Sequence, residues 1–233
     1  VRSDQECFLD VRSRLEAMLD AVDTNDAIIC LSSNRNFRKD LLPTYKSNRA
    51  RTRRPPMLQR LREMVKERAN LWRVLDISGL EADDVCGITA TAMVASNKGR
   101  EPIIVSDDKD LLTIPGLLHR KGVTFTVYQE EADRHHLYQA LTGDPVDGYE
   151  GLPGVGPKTA DKILNGADEQ SVAGWWRAAL GAYVARGHTE EQALTQARVA
   201  RILRCTDWDA TKREPILWVP PSEVPALRPI VIA

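Results

Sequence analysis

Apolar residues at helical spacing open the chain. Phe8, Val11, Leu15, Met18, Leu19 and Val22 fall on one face of residues 4–22, which predicts an amphipathic helix. The run Ala27-Ile28-Ile29-Cys30-Leu31 has no polar break and reads as a strand buried on both faces of a parallel sheet. Residues 34–54 interrupt the pattern: they are polar and basic, with only Phe37, Leu41, Leu42 and Tyr45 to bury. Pro55-Pro56 then opens a helix to about Ala69, whose apolar stripe is Met57, Leu61, Met64 and Val65. Leu71 to Leu75 reads as a second strand, and Glu81 to Ala95 as a helix buried through Val85, Ile88, Ala92 and Met93. Pro102 to Val105 is a third strand and Val123 to Tyr128 a fourth. From Glu130 the pattern is helical, with His136–Thr142, 157–165 (opened by Pro157), 171–185 and 190–204, before an irregular tail from Pro220.

Strands alternating with helices predict an α/β fold, with a parallel central sheet flanked by helices. The organisation is a core over residues 1–128, a helical region over 129–219 and a tail over 220–233. In such sheets ligands sit beyond the carboxyl ends of the strands. Two acidic clusters follow predicted strands: Glu81, Asp83 and Asp84 in EADD, and Asp107, Asp108 and Asp110 in SDDKD. They are expected to meet at that edge. Asp107 is set aside, because alternation along the strand points it away from Asp108.

Composition sharpens this reading. The 233 residues are 42% hydrophobic, enough for a packed core, and no apolar run approaches the 18 residues of a membrane span. Cys7, Cys30, Cys86 and Cys205 are scattered and read as reduced thiols; His119, His135, His136 and His188 show no metal-ligand spacing. The formal net charge of −1 hides a dipole. Residues 35–73 carry 13 basic side chains against 3 acidic, or +10, whereas 81–150 carry 13 acidic against 6 basic, or −7. A polyanion is drawn to the first stretch and cations to the second.

The densest chemistry lies in residues 142–160, TGDPVDGYEGLPGVGPKTA. Asp144 and Asp147 stand three apart, and GVGPKTA follows as a glycine-rich turn entering a helix. Hard carboxylate oxygens suit Mg²⁺ or Mn²⁺ rather than zinc. The turn suits a phosphate, because small residues expose backbone N–H groups and Lys158 adds charge. Each cluster alone has a bland reading: Ser78-Gly79-Leu80-Glu81 is a capping box, SDDKD a solvated turn and GDPVD a plain loop. Together, after a basic stretch, they point to an enzyme that cuts nucleic acid with metal ions.

FRKDLLPTYKSNR (37–49), EADD, SDDKD and GDPVDGYEGLPGVGPKTA stand in the order that resembles the 5′→3′ exonuclease and flap-endonuclease superfamily. Residues 197–218 resemble the exonucleases of T-odd bacteriophages in particular. The resemblance implies that Glu81, Asp83, Asp84, Asp108, Asp110, Asp144 and Asp147 surround two or more divalent ions. It makes 34–54 an arch, with Lys46 and Arg49, and Arg38 as a third, on the scissile phosphate. Tyr45 is either a platform for an unpaired base or an anchor for the arch. It also implies a helix–turn–helix, or helix–hairpin–helix, in which Gly154, Gly156, Lys158 and Thr159 touch the duplex backbone and carbonyls of 152–156 hold K⁺. The implied substrate is duplex DNA with a 5′ end or single-strand junction, with RNA in hybrids as an extension. The implied place is the cytoplasm of a bacterial host, away from membranes.

Two departures from the pattern stand out. The resemblance implies a first strand with a metal-binding aspartate, which residues before 26 do not supply, so the sequence reads as N-terminally incomplete. It also implies an aspartate where Ser33 stands, and a hydroxyl does not replace a charged ligand. These keep open a second reading, a structure-specific DNA-binding protein impaired in catalysis. A third is a ribonuclease of the PIN-like kind, against which GVGPKTA after GDPVD argues.

Overall fold

The computed structural model describes residues 3–51, 55–67, 72–97, 99 and 101–221. β1 (Ile28–Leu31) pairs in parallel with β2 (Arg73–Asp76), Ile28 facing Arg73 and Leu31 facing Asp76. β3 (Ile103–Val105) pairs in parallel with β4 (Gly116–Arg120), which returns as the antiparallel β5 (Val123–Val127). Lys121 and Gly122 both have positive φ, the requirement of a two-residue hairpin that follows the strand twist. This corrects two expectations. β4 was not foreseen, and β5 runs antiparallel, because a two-residue turn cannot make the crossover a parallel strand needs. Among the described residues β1 and β3 share no ladder, so the expected single sheet is two hydrogen-bonded pieces. Both strands line the same cleft between them.

α1 (Asp4–Ala21) starts at a Ser3–Glu6 capping box and buries Phe8 with Met64 and Val65 of α3 (Met57–Glu67). Val11 packs against them, while Leu15, Met18, Leu19 and Val22 of the predicted stripe border the cleft instead. The helix foreseen to Ala69 is described only to Glu67, and Leu71 also lies outside the described residues. α4 (Ala82–Ala95) packs between the two sheet pieces through Val85 and Ile88. Its Gly87 is required by contact: a Cβ there would lie 2.4 Å from the carbonyl oxygen of Leu203.

α5 (Gln129–Thr142), α6 (Pro157–Asn165), α7 (Val172–Val184) and α8 (Glu190–Ala200) enclose one apolar cluster, including Leu137, Leu141, Leu164, Trp175 and Trp176. The helix foreseen over 190–204 stops at Ala200. Arg201 turns to ψ 114°, and residues 201–204 run back into the sheet side. There Ile202 joins Leu111 and Leu118, while Leu203 joins Leu80 and Val85. Arg201 and Arg204 are buried with them and reach Asp207 and Asp133 at 2.8 and 2.7 Å. Burial of this segment outweighs continuing the helix. A short hairpin follows, β6 (Trp208–Asp209) against β7 (Glu214–Pro215).

The segment 34–54 packs more than its few apolar residues suggest. It contains α2 (Arg38–Leu41) and a 3-10 turn over Ser47–Arg51, and residues 52–54 lie outside the described residues. Phe37, Arg38 and Tyr45 are all buried. Two of these three are polar, and pairing rather than apolar area makes their burial possible.

Candidate metal centre and nucleic-acid interface

The end of β1 is tied to the start of α4. Ser33 N–H donates to the Leu80 carbonyl at 2.8 Å, and Ala82 N–H donates to Ser32 Oγ at 3.0 Å. Ser33 Oγ, at the position where an aspartate was implied, accepts from Arg35 N–H at 3.3 Å. At the N-terminus of α4, carboxylate oxygens of Glu81, Asp83 and Asp84 lie within 4.8 Å of one another. A helix N-terminus favours negative charge, which offsets part of their repulsion.

Asp84 is completely buried, and both its oxygens are already engaged. Arg38 grips it with two hydrogen bonds of 2.7 Å, while Leu203 and Glu81 N–H each donate at 3.1 Å. Arg38 is itself 2% exposed and also donates to the carbonyls of Val199 and Arg201. The expectation that Arg38 contacts phosphate is therefore corrected: it is an internal pin between α2, α4 and the end of α8. Asp84 likewise serves as its buried partner rather than as an open ligand. Removing one member of such a pair costs about 3–5 kcal/mol, because the other is left charged and buried.

SDDKD leaves β3 and becomes a 3-10 turn over Lys109–Thr113, capped by Asp108, whose Oδ1 accepts from Asp110 N–H at 2.9 Å. Asp107 turns away and accepts from Lys121 N–H at 2.8 Å, as alternation predicted. Asp110 accepts from Gln139 Nε2 at 2.5 Å. GDPVD follows α5 through Gly143, which has φ 65° and lies so close to Glu150 that a Cβ would meet its carbonyl carbon at 2.3 Å. Asp144 N–H donates to Tyr149, and Asp144 Oδ1 accepts from Val146 N–H at 2.7 Å, which fixes the loop. Lys46 N–H donates to the Asp147 carbonyl at 2.6 Å, so the 34–54 segment is stitched onto this loop.

These elements close on one cleft of about 1760 Å³, whose walls include Glu81, Asp83, Asp108, Asp110, Asp144 and Asp147 together with Lys46, Arg49 and Lys109. A small void of about 10 Å³ behind it is bordered by Asp83, Asp110 and Asp147, one acid from each motif. Tyr45 is 3% exposed; its hydroxyl lies 2.8 Å from Glu81 and 3.0 Å from Asp147, and its ring stacks near Tyr149. Of its two readings, the structure gives it the anchor. Lys46 bonds Glu81 and lies 3.2 Å from Asp147, while Arg49 lies 2.6 Å from Asp147. Lys109 lies 3.2 Å from Asp144.

Charge is unevenly matched in this cleft. Burial, followed by the neighbouring Asp84 charge, pushes the Asp83 carboxyl up to about 7. Burial, then Asp108, pushes Asp110 up to about 6. Burial acts the same way on Glu81 and Asp144. There it is outweighed, for Glu81 by Arg38 and Lys46 and for Asp144 by Lys109 and backbone N–H groups, so both end below the usual carboxylate range. Oxygen donors alone, on carboxyls whose charge is disfavoured by burial and by one another, fit a hard divalent cation.

The description "5'-3' exonuclease, N-terminal resolvase-like domain" matches residues 6–140, more than half of the chain. The exodeoxyribonuclease of Enterobacteria phage T3 is 32% identical, over 84% of this chain and 74% of its own length. The chain belongs to the 5′→3′ exonuclease family. The exonuclease of Escherichia phage T7 is 31% identical over 83% of this chain and 73% of its own length. DNA polymerase I of Rhizobium leguminosarum is 34% identical over 60% of this chain, but only 15% of that larger protein. Among solved structures, a T5 protein co-crystallized with metal ions superposes with a TM-score of 0.61, at 17% identity over 81% of this chain and 80% of the other. T5 5′-exonuclease with bound zinc gives 0.51, at 14% identity over 84% of this chain and 90% of the other. These structures share the fold. Relatives named as exonucleases favour an active nuclease over the catalytically impaired alternative, and the family assignment displaces the PIN-like reading.

The structure of this 5′→3′ exonuclease family member separates the predicted residues into three places. Six of the seven carboxylates share the cleft with Lys46 and Arg49, Asp84 is buried with Arg38 and Tyr45, and Gly154, Gly156, Lys158 and Thr159 do not line the cleft. They form the entry to α6, where Gly154 has φ 77°, Gly156 stands at the N-cap without a side-chain cap, and Lys158 is exposed. Three residues escaped the sequence reading: Lys109 lines the cleft, and Gln139 and Tyr149 border the small void. Gln139 lies one helical turn before Gly143 on α5, and Tyr149 sits just past GDPVD; neither type signals a metal site. Lys109 stands inside SDDKD, where only the acids were given a role. Among the described residues, no helix is long and apolar enough to cross a membrane.

Proposed function

We propose that this exonuclease hydrolyses phosphodiesters at the 5′ ends of duplex DNA, using Mg²⁺ or Mn²⁺ held by the cleft carboxylates. The observation that carries this is the convergence of acids from three separated motifs, with Lys46 and Arg49, on one cleft. Glu81, Asp83, Asp108, Asp110, Asp144 and Asp147 would hold two or more ions. Bound there, such ions supply a water of lowered pKa and charge to offset the leaving oxygen. Lys46 and Arg49 provide positive charge that a phosphate can share with Glu81 and Asp147. Asp84, Arg38 and Tyr45 hold the carboxylates and the 34–54 segment in register.

The α6 entry is the second contact. Its exposed glycines, open helix N-terminus and Lys158 suit a duplex phosphate in a helix–hairpin–helix manner, and carbonyls of 152–156 are the proposed K⁺ ligands. Backbone contacts of this kind read no base sequence. Cleavage therefore depends on strand ends, and extends to flaps and to RNA in hybrids. The solved T5 flap endonuclease complex with DNA and metal ions has this fold, with a TM-score of 0.52 at 14% identity. Asp110→Asn and Asp144→Asn are expected to abolish Mg²⁺-dependent release of label from a 5′-labelled duplex, with DNA binding retained. Full cleavage by either variant would overturn the shared-site assignment.

A further inference from the structure

We propose that Lys109 is a positioning residue that sets how tightly the cleft holds a divalent cation, and that it turns to the substrate phosphate when cations bind. This rests on reading the cleft as a cation-dependent nuclease site. Lys109 is the middle residue of Asp108-Lys109-Asp110. Its Nζ lies 3.2 Å from Asp144 Oδ2 and 3.7 Å from Asp110 Oδ1, so one ammonium bridges carboxylates from two motifs. Its side chain is 61% exposed, so the two carboxylates hold it there rather than packing. Lys46 is different: its side chain is 15% exposed, it pairs with Glu81 and Asp147, and its ammonium lies over the Tyr45 ring.

A divalent cation on Asp110 and Asp144 competes with the Lys109 ammonium for the same oxygens. Two positive charges on the ion and one on the lysine, about 6 Å apart at water-like dielectric, weaken ion binding roughly tenfold. A phosphodiester brings negative charge to the same edge, and a lysine stem is flexible enough to follow it. Cation and DNA binding then favour each other, as linkage requires of two ligands that relieve one repulsion.

The test is a Mn²⁺ titration of the full chain, following free Mn²⁺ by electron paramagnetic resonance, for wild type, Lys109→Met and Lys109→Arg. Lys109→Met is expected to bind Mn²⁺ roughly tenfold more tightly, and Lys109→Arg within about twofold of wild type. Lys109→Gln shows the same sign should Met disturb the turn. A lysine that merely shapes the turn predicts weaker or unchanged binding on its removal, and either result overturns the proposal. At saturating Mn²⁺, Lys109→Met is expected to lower kcat roughly tenfold. A wild-type kcat overturns the phosphate part. The titration needs no turnover, so tighter Mn²⁺ binding in a chain that never cleaves DNA would overturn the nuclease reading alone.

Discussion

Asp83 shows how one residue couples fold and cation. Folding raises its carboxyl from the ordinary value near 4 to about 7, because burial and Asp84 disfavour its charge. The folded chain then binds more protons than the unfolded chain between these values, so this residue's contribution to stability falls as pH rises through that window. Asp83→Asn removes the dependence. We therefore expect the thermal midpoint of wild type minus that of the variant, in EDTA, to fall from pH 4.5 to pH 7.5. A difference that stays flat or rises would show that Asp83 is not held in its acid form by the fold. At this scale the sequence was legible in which residues gather: six of the seven predicted carboxylates, with Lys46 and Arg49, line one cleft. It was not legible for Arg38 and Tyr45. Their side chains suit phosphate and bases equally well as buried carboxylates, and only the depth of the pocket decides.

Elements were legible where periodicity was undivided. β1, α4 and α5 to α7 fall close to their predicted spans, because their apolar residues follow one period. β4 escaped because Gly116-Leu-Leu-His-Arg is short and the turn after it is Lys-Gly, a weak hairpin signal. α8 was overrun because 201–204 continues a helical pattern locally while its burial is tertiary. The α6 entry was read from its glycines, Pro157 and Lys158, and the structure leaves its N-terminus without a side-chain cap, as the proposed phosphate contact needs. Lys158→Ala is expected to weaken duplex binding about equally for all sequences, and to lower the slope of log affinity against log salt by roughly one unit. A loss confined to some sequences would contradict a phosphate contact there.

At the scale of the whole molecule, α1, β1, the start of α4, β3 and the loop after α5 enclose one acidic cleft, with Lys46, Arg49 and Lys109 on its walls. The charge dipole along the sequence matches the two proposed partners, cation and polyanion. What it did not reveal is that the described part of the basic segment, residues 34–51, folds onto the acids, through Arg38–Asp84, Lys46–Glu81 and Arg49–Asp147. Opposite charges far apart in sequence attract in space, and only the folded chain shows which ones meet. Carboxylates from residues 81–84, 108–110 and 144–147 are proposed to form one cation site. The decisive measurement is anomalous diffraction from crystals of the chain soaked in Mn²⁺. Peaks are expected on carboxylates of at least two of these three motifs, beside Lys46 and Lys109. Peaks confined to one motif, or lying only outside the cleft, would contradict it.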